Sequence, residues 1–284
     1  MTRPGQSFRR VVAAATLLLC SAHASSGGAA SSDTLTFSYG IYVSGARVYR
    51  INYQAEFGPD RYETRISMGP KGVGKLFADF RLEMSTTGVV EQGIPQPVNF
   101  TMKSAKDDER KSVAMRWSSD ALPRAERSFS VPAERAAAVD QVLNPAMPDP
   151  LTAVLQHALT AQSKPCKGTL RAYNGAEVQE LKLTYLGKDE IAATRDGAYS
   201  GPAFKCEVVF VPVAGYAEKK LKKLLSKPPT YIVWFANVVS PTTSTRFLIP
   251  VRAIGKAGKR RFEILASDAE MSGRPLTALS QLEN

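Results

Sequence analysis

Alternation of apolar and polar side chains dominates this chain. Tyr62, Thr64, Ile66 and Met68 alternate with Arg61, Glu63, Arg65 and Ser67. That period of two belongs to a strand with one buried face. Leu35 to Val43, rich in aromatic and β-branched residues, reads as a strand, and Ser44-Gly45 as the turn after it. Val48 to Phe57 resumes the pattern with Tyr49, Ile51, Tyr53 and Ala55 on one face, and Gly58-Pro59-Asp60 turns the chain again. Phe77 to Met84, Val89 to Ile94 after a Thr87-Gly88 turn, Val98 to Met102 and Ser112 to Trp117 continue the series. Connections this short predict antiparallel pairing, because parallel crossovers need a dozen residues or more. The glycine-rich stretch from Gly69 to Lys75 lacks phosphate-loop spacing and a following Ser or Thr, so it reads as a hairpin connection. Lys103 to Lys111 is a charged hairpin tip that guards its strands against edge pairing.

The period lengthens near residue 133. Ala133 to Leu143 predicts a short helix, and Asp149 to Leu159 a firmer one. Asp149 suits the N-cap and Pro150 the first helical position. Leu151, Val154, Leu155 and Leu159, with Ala158, line one face, so this helix should plug or cover the sheet. Strands return at Gly168 to Tyr173 and Val178 to Tyr185, joined by an Asn174-Gly175 hairpin signal. Phe204 to Val213, Thr230 to Val238, Arg246 to Ala253 and Arg260 to Ala266 complete the set. The expected fold is mainly β: a strongly curled antiparallel sheet or open barrel with one or two short helices.

The N-terminus changes the picture from fold to location. Arg3, Arg9 and Arg10 precede the apolar run Val11 to Leu19, and Ala22-His23-Ala24 offers a cleavage site. Residues 1–24 therefore read as a cleaved signal peptide. The apolar run is short of the about 20 residues that span a bilayer. Leu19 stands where a lipoprotein signal needs a small residue before Cys20, and Phe8 and Val11-Val12 match a twin-arginine signal poorly. Residues 25–34 are expected to be a flexible leader, 35–270 one β-rich domain and 271–284 a polar tail. Of the 284 residues, 37 are Lys or Arg and 26 Asp or Glu, for a net charge of +11; loss of 1–24 leaves +8. That excess permits contact with anionic headgroups or acidic polymers and does not call for nucleic acid.

Export leaves two cysteines, Cys166 and Cys206, in an oxidising compartment, where an even pair reads as a disulfide. Catalytic redox pairs sit closer in sequence. With His157 these thiols fall short of a tetrahedral metal set, so no metal or cofactor is expected.

Several motifs then occur in order. Tyr39-Gly40-Ile41-Tyr42-Val43-Ser44-Gly45 lies near the start. Asp149-Pro150-Leu151-Thr152-Ala153, Cys166 to Gly175, Leu183-Thr184-Tyr185-Leu186-Gly187, Gly201 to Cys206 and Pro212 to Tyr216 follow. Together they resemble the exported bacterial family called domain of unknown function 3108, across nearly the whole mature chain. The resemblance implies a periplasmic protein of no established activity. By analogy of architecture it points to the curled sheets of periplasmic lipoprotein carriers of the LolA and LolB type.

Candidate chemistry is sparse. His157 is the mature chain's one histidine and sits one residue from the apolar stripe of its helix. Ser200 beside Gly201 is not in a nucleophile elbow. Asp107-Asp108-Glu109 and Asp189-Glu190 lie in turn-like polar segments, while Asp79 alternates with apolar neighbours and could face inward; one inward acid does not make a two-carboxylate hydrolase. Ala217 to Lys227 can form a basic amphipathic helix, with Leu221, Leu224 and Leu225 among Lys219, Lys220, Lys222, Lys223 and Lys227. Those five lysines are the candidates for contact with an anionic surface, against the plainer reading of a solvated helix whose leucines cap the sheet. The expected function is non-enzymatic: an envelope protein binding a lipid, lipoprotein or peptide in the curled sheet, with peripheral membrane contact. The alternatives are a filled-core scaffold acting through protein contacts and a carboxylate-dependent hydrolase.

Overall fold

A computed structural model describes residues 32–76, 79–118, 121–160, 165–257 and 260–280. In it the alternating segments form one antiparallel sheet of fourteen strands. The first seven are a meander: β1 (Asp33–Val43), β2 (Ala46–Phe57), β3 (Arg61–Pro70), β4 (Phe80–Glu91), β5 (Ile94–Lys106), β6 (Glu109–Ser118) and β7 (Ala121–Arg127). A second meander holds β8 (Gly168–Tyr173), β9 (Val178–Ile191), β10 (Gly201–Ala214), β11 (Thr230–Val239), β12 (Arg246–Ala257) and β13 (Arg260–Met271). β1 pairs with β13, so the two meanders join through the first and last long strands. β7 and β8 are the edges and do not pair with each other. The expected mainly β, curled and unclosed sheet is what folds.

The connection between those edges carries α1 (Ala133–Asp140) and α2 (Pro150–Thr160). α2 fills the space inside the curl. Leu151 belongs to a core with Phe100, Met115, Met147, Tyr173 and Val178. Leu159 packs on a second core around Phe37, Ala236, Phe247 and Ile249. His157 meets Phe235, whose core also holds both cysteines, Phe204 and Leu248. One helix thus touches three apolar clusters. Its buried surface is wider than the predicted stripe, for Thr152, Ala153 and His157 are buried as well, while Val154 is exposed.

The break between β7 and β8 is latched by side chains. Arg127 on β7 donates through Nη2 to Tyr173 Oη on β8 at 2.8 Å, and through Nε to the Gly175 carbonyl. Gly175 has φ +93°, and a Cβ there would run into Val113 of β6. The Asn-Gly turn is therefore also a packing surface across the seam.

Several expectations need correction. Thr87-Gly88 is no turn: β4 runs on to Glu91 with a bulge there, and the chain reverses at Gln92-Gly93, where both residues have positive φ. The Gly69–Gly74 stretch does connect two antiparallel neighbours, β3 and β4, but through a 3-10 turn, Gly72–Leu76, docked on β2, where a Cβ on Gly74 would strike the Val48 carbonyl. The end of the expected 25–34 segment belongs to the sheet, since β1 begins at Asp33. Asp33 is buried and holds Thr243 Oγ1 at 2.5 Å. The tail from residue 271 is not merely polar: Met271, Leu276 and Leu279 are buried, with β14 (Arg274–Pro275) beside β13 and α4 (Leu276–Leu279) after it. The signal segment 1–24 lies outside the described residues, as do Phe77 and Ala78.

Candidate functional site

Inside the curl, the polar groups serve α2. Asp149 caps it: Oδ1 accepts from the Leu151 and Thr152 amides at 2.8 and 3.1 Å. Oδ2 accepts from Thr152 Oγ1 at 2.5 Å and from Thr86 Oγ1 of β4 at 3.0 Å. Thr152 Oγ1 lies 2.7 Å from Tyr62 Oη of β3. Burial pushes the Asp149 carboxyl up, and the four hydrogen bonds pull it back. These contacts pin the helix to the sheet.

His157 is buried against Phe235, ring centroids 5.6 Å apart, and its Nε2 has no hydrogen-bond partner. Burial lowers its pKa. The carboxylates scatter. Asp79 points outward, 60% exposed and paired with Arg81, against the inward placement its neighbours predicted. Asp107 and Asp108 sit at the β5–β6 hairpin tip and Glu109 pairs with Lys111. Asp189 and Glu190 lie within β9, not a turn, and Asp189 accepts from Trp234 Nε1 at 2.9 Å. The cysteines are brought together as a disulfide, Cα atoms 5.6 Å apart, with both residues buried.

The outside of the sheet carries the open surfaces. A cleft of about 620 Å³ crosses the face of β1–β5 that points away from the core. Thr36, Gln54, Arg65, Ser85 and Thr101 line it, with Glu83 and Lys103 adding charges of both signs. A larger groove of about 990 Å³ lies beside α3 (Glu218–Ser226), against β11, β12 and β13. Leu224, Pro229, Ile232 and Ile254 form its apolar floor, and Lys223, Lys227, Lys256 and Arg261 its rim.

α3 is the basic helix expected from Ala217 to Lys227, and it is no core element: none of its residues is fully buried. Its lysines divide. Lys220 binds Glu177 at 2.8 Å and lies over the Tyr216 ring, and Lys222 pairs with Glu218 at 2.5 Å. Lys219 is exposed and does not line the groove, whereas Lys223 and Lys227 do. Lys256 and Arg261 escaped the sequence reading. They pair with each other near the end of β12 and the start of β13, where the expected Gly255–Gly258 turn proves to be strand through Ala257, and nothing local says that this hairpin comes to rest beside α3.

Fold and surface together define a curled, unclosed antiparallel β protein with a filled interior and a basic, apolar-floored groove on its outside. No family model matches the chain, and no curated protein matches it. Among solved structures it is similar to a crystal structure of a beta-barrel-like protein of domain of unknown function DUF1849 from Brucella abortus, at 8% identity. The likeness covers 84% of this chain and 97% of that one, with a TM-score of 0.47.

Proposed function

We propose that the protein is an exported, non-enzymatic envelope protein that binds its lipid, lipoprotein or peptide ligand on the outside of the curled sheet. The single observation behind this is the position of α2, which fills the interior a carrier would use. Apolar surface open to a ligand is found instead beside α3. The signal-like N-terminus, the disulfide and the resemblance to the exported family of domain of unknown function 3108 support periplasmic residence.

Titration with a neutral naphthylamine dye tests the reading. The mature protein is expected to bind it saturably, and Ile254→Arg or Leu224→Arg to abolish binding with the fold intact. Undiminished uptake in both variants would return the ligand to the interior. Sequencing of the exported protein is expected to begin at Ser25.

The same filled interior favours a second reading, a scaffold that works through protein contacts. Photo-crosslinking from the outer face in the envelope separates the two: protein adducts without dye binding select the scaffold.

A further inference from the structure

The rim of the α3 groove draws cations from three parts of the chain. Lys223 and Lys227 come from α3 and its end, Lys256 from β12 and Arg261 from β13. All four are exposed, and no acidic residue lines the groove. Among the described residues none of the four has an ion pair, whereas Lys220 and Lys222 on the same helix each have one. Converging cations without counter-charges repel one another, and an anion seated between them relieves that repulsion.

The floor is apolar and incompletely covered. Leu224, Pro229, Ile232 and Ile254 are all half-buried. Ile232 and Ile254 pair across the β11–β12 ladder, and Lys256 and Arg261 across the β12–β13 ladder, so these four share one face of the sheet, whereas Gly255 lies on the other with Tyr231 and Phe262. A Cβ at Gly255 would stand 2.7 Å from the Tyr231 ring and 2.8 Å from that of Phe262, so only a bare glycine lets both rings lie over the strand. Their centroids are 6.0 Å apart. The volume, about 990 Å³, reaches the upper end of the range of about 300–1,000 Å³ that holds small ligands. Leu225, 56% exposed at the end of α3, extends the apolar surface outward.

We propose that this groove binds an anionic phospholipid, with an acyl chain on the floor of Leu224, Ile232 and Ile254 and the phosphate among Lys223, Lys227, Lys256 and Arg261. The site deepens the outside-binding reading and rests on it. A soluble polyanion would satisfy the rim and leave the floor wet. A neutral lipid would cover the floor and leave the rim unpaired. A ligand with one charged end and one apolar end matches both. At a bilayer, surface lysines and arginines add attraction to anionic headgroups that salt screens.

Flotation with lipid vesicles tests this on the mature protein. Vesicles of phosphatidylglycerol mixed equally with phosphatidylcholine are expected to carry the protein, and phosphatidylcholine alone to leave it behind. Lys256→Glu with Arg261→Glu is expected to weaken binding about tenfold or more. Arg65→Glu with Lys103→Glu makes the same charge change in the other cleft and is expected to leave binding nearly unchanged. Leu224→Ser is expected to weaken binding without altering charge. Equal loss in the two charge variants, equal binding to phosphatidylcholine, or no binding to either vesicle overturns the proposal. So does tighter binding of an acidic amphipathic peptide in competition with the lipid. If vesicle binding fails while the naphthylamine dye still binds, the phospholipid assignment falls alone; if both fail, outside binding of an apolar ligand falls with it.

Discussion

Arg127 and Tyr173 face each other across the break in the sheet, Nη2 to Oη at 2.8 Å. The first lies at the end of β7 and the second at the end of β8, the two strands that have no ladder between them. Tyr173 Oη also donates to the Gly175 carbonyl at 2.9 Å, the same oxygen that Arg127 Nε reaches. A guanidinium thus stands in for missing strand pairing. Burial raises the Tyr173 pKa, and the neighbouring Arg127 offsets part of the rise.

This latch gives the first prediction. Arg127→Ala should cost about 1–2 kcal/mol and Tyr173→Phe about 1 kcal/mol, on the scale of hydrogen bonds with a charged partner. The double variant should cost less than the sum, as expected for groups in contact. Urea denaturation of the four proteins checks it, and strict additivity would show that the two side chains do not act together. Gly175→Ala should destabilise more than either single change, because it combines a positive φ with a clash on Val113.

The same seam shows what sequence could and could not reveal. Strand after strand was legible, because a half-buried strand must alternate and Tyr62 to Met68 does so plainly. The Asp149 cap was legible too, since a capping carboxylate needs only its own amides. Its bond to Thr86 was not, because 63 residues separate them. Thr87-Gly88 misled for a physical reason. That glycine answers to a bulge and to the Tyr62 ring packed on it, and not to a reversal of the chain. The groove was half legible. The basic helix could be read from its spacing, whereas the hairpin that brings Lys256 and Arg261 beside it depends on sheet order alone.

Asp149 should discriminate between its two simplest replacements. Asparagine keeps an oxygen for the Leu151 and Thr152 amides and a donor that Thr86 or Thr152 can accept. Asp149→Asn should therefore be nearly neutral near pH 7. Asp149→Ala removes the cap and strands buried hydroxyls, and should cost about 2–4 kcal/mol, from a cap worth about 1 and unsatisfied groups worth about 1–3. The folded pKa is raised, so the stability linked to the protonated group is fully present below the ordinary carboxyl range and is lost as pH rises through the folded value. Stability curves of the asparagine variant should lack that acid-side decline.

The disulfide should matter through the unfolded chain. It closes a loop of sequence separation 40, worth about 3–4 kcal/mol by loop entropy. Paired Cys166→Ala and Cys206→Ala changes should lower Tm by about 10 °C for a domain of this size. The two sulfurs also fill part of the third core, so the loss includes packing. A calorimetric scan in which Tm does not move would show that the loop is already constrained when the chain unfolds.

His157 should set the response to mild acid. Its ring is buried on Phe235, Nε2 lacks a partner, and burial holds its pKa below the ordinary value of about 6.5. The unfolded chain therefore binds a proton at higher pH than the folded one. Between the folded pKa and about 6.5, the unfolded state carries more protons, and stability rises with pH through that window. As pH falls below about 6.5, stability is lost until the folded pKa is reached, where the histidine charges in both states. His157→Phe removes the titrating group and the orphaned nitrogen while keeping a ring against Phe235. Because it also gives up the ring's hydrogen bond with the Pro165 backbone, it should stay within about 1 kcal/mol of the wild type near pH 7 and lose the slope between pH 6.5 and the acid end of the window. Urea midpoints measured across that range check the sign. A wild-type midpoint that climbs on acidification would mean that His157 finds an acidic partner and is charged in the folded state.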